Sequence, residues 1–351
     1  MGIIFDLDQT IIDSRIAYET RKNRDWKKAY SLIPEMTPYA DVVNLIKILP
    51  SQGVEVAIVT SSPRPYCEKI LKYLGITQAI TVCYHDTKNH KPDPDPYQLA
   101  ISKMKNKDLK SIIAIGDEEI DIKAAQRANI FNILTYWGNP YSYYHSTTQP
   151  NIFCRDEESL IRLFCTLGNI NIEKSGLRRR TANTYQLFDY YPKTKTHDQW
   201  SEFILDEVKG KNNNTKICDM FCWELKKTWN KIPSNTYGIF VVPSSKMGKW
   251  NEKLVNYVVP KLVKEMGLID CSKYILRHTT RDKQAYGGDR NLQSNLQTIK
   301  LQYTLPPQMK GAFIIDDITT SGNSFESCKQ LLYNTSIDNN EIYCVAIGGT
   351  V

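Results

Sequence analysis

No run of about 18 apolar residues, the length needed to cross a bilayer, occurs in the chain. The first residues lead directly into a charged motif instead of a basic segment and an apolar leader, so no membrane association and a cytoplasmic location are expected. Paired cysteine spacing is also missing. The nine cysteines (Cys67, Cys83, Cys154, Cys165, Cys218, Cys222, Cys271, Cys328 and Cys344) are odd in number and scattered, and they read as buried thiols. Cys218 and Cys222 lie four apart in a helical pattern, where core packing outweighs metal binding. No internal repeat of fixed period is found. What remains is 351 residues with 41% hydrophobic content, enough material for two separate cores.

The charge is uneven. Residues 1–165 balance 20 Lys and Arg against 20 Asp and Glu, whereas residues 166–351 carry 25 against 18, so the whole +7 excess lies in the C-terminal half. Part of it is the run Arg178, Arg179, Arg180, followed by Lys193 and Lys195 with Tyr185, Tyr190 and Tyr191 interspersed. Such a patch could track a polyanion, which leaves nucleic acid open as a partner. The preferred reading is plainer: a solvated linker, or a wall around a phosphate-rich ligand.

Strand-like and helix-like segments alternate through the first half. Strands are predicted at Gly2–Phe5, Val54–Thr60, Ala79–Tyr84, Ser111–Ile115 and Ile130–Tyr136. Helices are predicted at Pro38–Leu49, Pro65–Leu74, Pro96–Met104, Ile120–Ala128 and Glu157–Leu167. This order implies an α/β fold with a parallel sheet. Residues 169–184 read as a linker between a first domain, 1–168, and a second, 185–351. The second alternation has helices near Trp200–Val208, Cys218–Lys231 and Asn251–Glu265, and apolar strands at Tyr237–Val242, Ala312–Ile315 and Ile342–Ile347.

In the first domain the apolar strand Ile3-Ile4-Phe5 stops at Asp6-Leu7-Asp8-Gln9-Thr10, two carboxylates at the end of a strand, where open α/β sheets bind ligands. A second strand ends at Thr60-Ser61, a Lys91-Pro92-Asp93-Pro94 segment follows, and another strand ends in Gly116-Asp117-Glu118-Glu119-Ile120-Asp121. Taken singly, Lys91 could be a surface lysine, and Asp117 and Asp121 a helix cap and a first-turn acid. The four pieces in this order resemble the four motifs of haloacid dehalogenase superfamily phosphatases, in the branch that includes phosphoglycolate phosphatase-like enzymes.

The resemblance implies a Rossmann-like fold and Mg²⁺-dependent phosphomonoester hydrolysis through an aspartyl-phosphate. Asp6 would be the nucleophile, and Asp8 would protonate the leaving oxygen and then activate water. Thr60 would bind a phosphoryl oxygen and Lys91 would neutralise the nucleophile and the transferred group. Mg²⁺ would be held by Asp6, the Asp8 carbonyl and Asp117, supported by Asp121. Glu118 stands where the family often has a small polar residue, and would crowd the metal or add a ligand. Only about residues 14–36 are available as a cap. That segment is short and basic (Arg15, Arg21, Lys22, Arg24, Lys27, Lys28), which points to a substrate larger than a small sugar phosphate, such as a nucleotide or a nucleic-acid end.

In the second domain an apolar strand runs into Asp316-Asp317 and then Ile318-Thr319-Thr320-Ser321-Gly322-Asn323-Ser324. The acids suit the two hydroxyls of a ribose, and the loop suits a 5′-phosphate at a helix N-terminus. This stretch resembles the phosphoribosyl pyrophosphate (PRPP) signature of type I phosphoribosyltransferases. Arg277 to Asn291 resembles the corresponding region of the competence-protein ComF-like branch. The resemblance implies that Asp316 and Asp317 hold the ribose and that Thr320, Ser321, Gly322, Asn323 and Ser324 cradle the phosphate. Ser244, Ser245, Lys246 and Arg281 would hold pyrophosphate. The expectation is a bifunctional enzyme acting on nucleotide or phosphoribosyl substrates. The alternatives are a phosphatase regulated by a PRPP- or nucleotide-sensing domain that does not turn over, and a nucleic-acid end-processing phosphatase. Pathway, acceptor base and oligomeric state are not legible.

Overall fold

The computed structural model describes residues 1–139, 147–168, 176–192, 198–210, 213–280, 292–333, 335 and 337–350. The chain divides into two compact units, one of residues 1–173 with 198–200 and the other of residues 174–197 with 201–351. Each is built around its own mostly parallel six-stranded sheet.

In the first unit, β1 (Gly2–Phe5) is the central strand because Ile3, Ile4 and Phe5 can be buried on both faces. It is followed by a two-residue ribbon, β2 (Ile12–Asp13) with β3 (Thr37–Pro38), which pairs Ile12 with Pro38 and Asp13 with Thr37. The ribbon pins both ends of segment 14–36, which contains the short helices α1 (Tyr18–Lys22) and α2 (Trp26–Ser31). After α3 (Ala40–Ile48) the chain repeats strand and helix: β4 (Glu55–Val59), α4 (Arg64–Leu74), β5 (Ile80–Val82), α5 (Asp95–Lys103), β6 (Ile112–Gly116), α6 (Glu119–Arg127) and β7 (Phe131–Thr135). It closes with β8 (Ile152–Cys154) and α7 (Glu157–Gly168).

The strand order is β5-β4-β1-β6-β7-β8, with β1 parallel to both β4 and β6. Phe5 is in register with Ile58 on one side and Ile115 on the other. The residues that follow these three strands therefore emerge side by side at one sheet edge, where the chain leaves β1 in opposite directions across the sheet. Strand β8 goes beyond the sequence expectation. Its three residues are too short for a periodic signal.

The second unit has strand order β12-β11-β15-β16-β10-β9. Its strands are β9 (Arg178–Thr181), β10 (Thr184–Tyr190), β11 (Tyr237–Val241), β12 (Ile269–Asp270), β15 (Gly311–Thr319) and β16 (Ile342–Thr350), all parallel to their neighbours except the edge strand β9. A ribbon of β13 (Ile275–Arg277) and β14 (Ile299–Leu301) stands apart from this sheet. The helices are α8 (Gln199–Val208), α9 (Lys216–Thr228), α10 (Val259–Met266), α11 (Leu292–Leu296) and α12 (Asn323–Tyr333). The helix expected over Asn251–Glu265 begins as one π-helical stretch, Leu254–Val258, before becoming α10.

The expected linker at 169–184 is corrected in part. Residues 169–175 lie outside the described residues, but Arg178–Thr181 is a sheet strand, and Tyr185 follows in β10. The basic triplet is largely consumed by this pairing. Arg178 donates to both oxygens of the Asp189 carboxylate at 2.7 and 2.8 Å, and Arg180 donates to Gln186 Oε1 at 2.9 Å. Gln186 in turn donates to Asp189 at 2.7 Å. Arg178 and Arg180 thus satisfy polar side chains on a buried strand, while Tyr190 and Tyr191 are buried. Arg179 stays exposed, and Lys193 and Lys195 lie outside the described residues.

Candidate active site

Asp6 follows β1, Thr60 follows β4 and Asp117 follows β6, so the parallel register alone brings them to one edge. Lys91 enters from the loop before α5, and Asp121 from the first turn of α6. The Lys91 ammonium lies 2.6 Å from Asp6 Oδ1 and 2.7 Å from Asp121 Oδ1, and it donates to the Val59 carbonyl at 2.7 Å. Its three donor positions are therefore used within a fully desolvated pocket. Burial alone would lower the Lys91 pKa. The carboxylates of Asp121 and Asp6 reverse this and hold it well above the ordinary lysine value.

The carboxylates of Asp6, Asp117 and Asp121 all present an oxygen within 4.8 Å of one another, and all three residues are buried. Burial raises the Asp6 carboxyl to about 7 against the pull of Lys91, with Asp121 adding to the rise. Burial, then the charges of Asp6 and Asp121, push Asp117 well above its ordinary value. Thr10 donates to Asp117 Oδ1 at 3.1 Å and orients it. One lysine does not neutralise three such acids, and the oxygen-rich set fits a hard divalent cation. Glu118 lies outside this group among the described residues. It caps α6, where its backbone N–H donates to Asp121 Oδ2 at 3.1 Å.

Asp8 is held apart from these acids. Ser14 and Tyr66 donate to its Oδ1 at 2.6 and 3.2 Å, Ser62 donates to Oδ2 at 2.9 Å, and Arg21 forms an ion pair with Oδ1. Its side chain is thus no member of the buried acid group, although the sequence places it among the metal ligands through its carbonyl. Thr60 is buried and its Oγ1 accepts from the Ser62 N–H at 3.0 Å. Asp6, Asp8, Thr60, Lys91, Asp117 and Asp121 line a cavity of about 640 Å³ whose other wall includes Arg15, Arg21, Lys22 and Arg24 of the 14–36 segment. Sequence reasoning did not single out Thr10, Ser14, Ser62 or Tyr66. Only Thr10 had a signal, as the hydroxyl that follows the two carboxylates.

The second unit gathers its expected residues at the end of β15. Asp316, Asp317, Thr320, Ser321, Gly322, Asn323 and Ser324 line a cavity of about 280 Å³ with Tyr190, Leu205 and Lys209. Gly322 takes φ +80°, a turn conformation open to glycine, just before α12. Burial first, then the neighbouring Asp317, pushes the Asp316 carboxyl well above its ordinary value. Asp317 is held by an ion pair from Lys209 and by Asn251 Nδ2 at 2.8 Å. Lys209 and Asn251 had no signal in sequence, because they come from the end of α8 and the start of another helix. Arg180 donates to the Thr320 carbonyl at 3.3 Å. Ser244, Ser245 and Lys246 follow β11 at the same sheet edge but do not line this cavity, and Arg281 lies outside the described residues. Arg277 is buried as a structural brace, donating to the Ser244 carbonyl at 2.6 Å and to Asn295 at 3.1 Å.

Two outcomes are expected from this geometry. A Cβ on Gly116 would lie 2.5 Å from the Asp121 carboxyl atoms, so Gly116→Ala should weaken Mg²⁺ binding roughly 10- to 100-fold, the scale for displacing a metal-site support. Titration calorimetry checks this, and unaltered affinity would show that Asp121 has room to shift. The second concerns pH. Asp6 binds its proton more tightly when folded (about 7) than at the ordinary value of 3.8. Its contribution to stability is therefore present below pH 4 and lost as pH rises through about 7. A cation relieves that loss, so the increase in Tm on adding Mg²⁺ should grow from pH 5 to pH 8; an equal increase at both would count against a cation beside Asp6.

Residues 18–135 match the haloacid dehalogenase-like hydrolase family. The chain is 26% identical over 143 residues to a putative pyrophosphatase PpaX of Caldanaerobacter subterraneus, covering 40% of this chain and 62% of that one. It is 29% identical over 136 residues to a phosphoglycolate phosphatase of Pectobacterium atrosepticum, covering 38% and 58%. It is 35% identical over 108 residues to a validoxylamine A 7′-phosphate phosphatase of Streptomyces hygroscopicus, covering 29% and 50%. The chain thus spans about half to three-fifths of the length of these relatives. Among the described residues no helix is long and apolar enough to cross a membrane. With the acids, the lysine and the parallel sheet in this arrangement, the N-terminal unit is a domain of the haloacid dehalogenase superfamily.

Proposed function

We propose that the N-terminal unit hydrolyses phosphate esters or anhydrides of nucleotide-type substrates through a phosphorylated Asp6. The observation that carries this reading is the buried Lys91 bridging Asp6 and Asp121, with Asp8 held separately beside them. The Asp6 carboxylate attacks phosphorus and the bond to the leaving oxygen breaks, with Asp8 giving that oxygen its proton. Asp8 then takes a proton from water as the water attacks phosphorus, which releases inorganic phosphate and restores Asp6. Thr60 binds a transferred phosphoryl oxygen, and the Lys91 charge offsets that of Asp6 and of the transferred group. Mg²⁺ held by Asp6, Asp117, Asp121 and the Asp8 carbonyl would offset the negative charge around that group. The relatives whose names specify pyrophosphate, phosphoglycolate and validoxylamine A 7′-phosphate support a small phosphorylated substrate. The 640 Å³ cavity and its cations favour a larger, nucleotide-sized one.

For the C-terminal unit a second reading is favoured by one observation, the shared cavity of Asp316, Asp317 and the Thr320–Ser324 loop. We infer that it binds PRPP or a related phosphoribosyl compound, with the acids on the ribose hydroxyls and the loop N–H groups on the 5′-phosphate. The two units would then act on nucleotide chemistry in one chain.

In a panel of nucleotides, sugar phosphates and phosphorylated oligonucleotides with Mg²⁺, Asp6→Asn should lower turnover by at least about 10³-fold. Acid-quenched wild type should carry phosphate on the Asp6 peptide. Full activity of Asp6→Asn would remove the mechanism, and a preference for oligonucleotides would favour end processing. Titration with PRPP and Mg²⁺ should show binding that Asp317→Asn weakens about 10-fold or more. Consumption of PRPP with a nucleobase acceptor makes the unit a transferase, and binding without consumption makes it a sensor. Absence of binding would overturn the inference.

A further inference from the structure

The turn between β1 and β2 carries two costs at one residue. Gln9 adopts φ +64°, a left-handed conformation that a residue with a Cβ fills less readily than glycine. Its Oε1 is buried without a hydrogen-bond partner among the described residues. The chain is nevertheless shaped around it. A Cβ on Gly138 would lie 1.7 Å from the Gln9 carbonyl oxygen, so the segment that follows β7 closes over this turn only because residue 138 has no side chain. Trp137 Nε1 donates to the neighbouring Thr10 carbonyl at 3.3 Å. Nothing in the work of Asp6, Lys91 or the buried acids requires a glutamine here.

What the side chain touches does account for it. Gln9 Nε2 donates to Ser14 Oγ at 3.2 Å, Arg21 Nη1 donates to the same oxygen at 3.1 Å, and Ser14 Oγ lies 2.6 Å from Asp8 Oδ1. A serine hydroxyl has two lone pairs and one proton. With both lone pairs taken by Gln9 and Arg21, that proton can go only to Asp8. Asp8 Oδ1 also accepts from Tyr66 at 3.2 Å and pairs with Arg21, so its acceptor capacity is filled. Among the described residues Oδ2 accepts only from Ser62, at 2.9 Å, and keeps a lone pair for a proton in transit. The two oxygens of one carboxylate are thus given different tasks.

We propose that Gln9 is a positioning residue for proton transfer by Asp8. It fixes the Ser14 hydroxyl as a donor, the hydroxyl anchors Oδ1, and Oδ2 is left for the reacting groups in the cavity that Gln9 and Asp8 both line. In the first step the proton on Oδ2 passes to the leaving oxygen as the bond from that oxygen to phosphorus breaks. In the second, a water proton passes to Oδ2 as the water oxygen bonds to phosphorus. Gln9 acts through Ser14 and contacts no reacting atom in this role. The proposal rests on the phosphatase reading above and adds the residue that holds its acid in place.

The test compares kcat/KM with Mg²⁺ for phenyl phosphate, whose leaving oxygen needs a proton, and 2,4-dinitrophenyl phosphate, whose phenolate departs without one. The proteins are wild type, Gln9→Met, Gln9→Gly, Ser14→Ala and the double variant Gln9→Met with Ser14→Ala. Gln9→Met keeps the size and removes the donor, whereas Gln9→Gly also relaxes the left-handed backbone, which separates the amide from the strain of the turn. Both should lower the ratio of kcat/KM for phenyl phosphate to kcat/KM for the dinitrophenyl ester roughly 10-fold, part of what a placed general acid supplies, and mainly through kcat. Ser14→Ala should lower it at least as far, and the double variant no further than Ser14→Ala alone. An equal loss on both esters would show that Gln9 only supports the turn, and an unmoved ratio, or losses that add in the double variant, would also overturn the proposal. Failure of wild type on both esters would overturn the phosphatase reading itself. Should Gln9→Met not fold, as judged by circular dichroism, Gln9→Gly alone and with Ser14→Ala carries the same comparison, and an unmoved ratio there overturns the proposal.

Discussion

The ammonium group of Lys91, fully desolvated and shared between Asp6 and Asp121, is the interaction on which the N-terminal site depends. Three carboxylates cannot be packed within 4.8 Å of one another, away from water, without a compensating charge. Lys91 supplies part of it and is itself tolerable there only because the acids surround it. Its third contact, to the Val59 carbonyl, fastens the arrangement to β4. One side chain thus ties together the ends of β1 and β4 and the first turn of α6. The charge left uncompensated fits the cation that the proposed mechanism calls for.

The same constraint governs the C-terminal unit, with a different solution. Asp316 and Asp317 are adjacent in sequence, so one strand presents both at the cavity, and compensation comes from Lys209 and Asn251 on the helical layer. A few residues away, Arg178 and Arg180 offset the buried polar side chains of β10. Arg178 and Arg180, which look like part of a solvated patch in one dimension, are internal partners in three. The cations of the 14–36 segment behave otherwise. They line an open cavity, where Arg21 meets a site carboxylate instead of a structural one.

Much of the fold was legible because apolar β-branched runs alternate with amphipathic helices, and most of the predicted strands and helices form within one to three residues of their expected ends. Strand β10 escaped because Gln186 and Asp189 break its apolar pattern, and those residues are buried with partners in each other and in Arg178 and Arg180 of β9. The candidate site was legible wherever a functional residue closes a strand: Asp6, Thr60, Asp117, Asp316 and Asp317. Lys91 and Asp121, on a loop and a helix, were legible only through the family's motifs, and Tyr66, Lys209 and Asn251, which meet their carboxylates only after folding, were not.

The sequence by itself pointed to Asp6, Thr60 and Asp117, because strand ends in a parallel sheet converge whatever the loops do, and to Lys91 and Asp121 only through the order of the four motifs and the family resemblance. It also determined that two cores are present, since the alternation restarts after the basic triplet. Only the tertiary structure decided which cations are spent inside the fold and which face a cavity. Pairing depends on distances of a few ångströms between groups far apart in the chain, and neither composition nor periodicity encodes those distances. That is why Arg178 and Arg21, alike in sequence as members of basic clusters, differ in kind: one secures a buried strand, and the other pairs with Asp8 at a cavity wall.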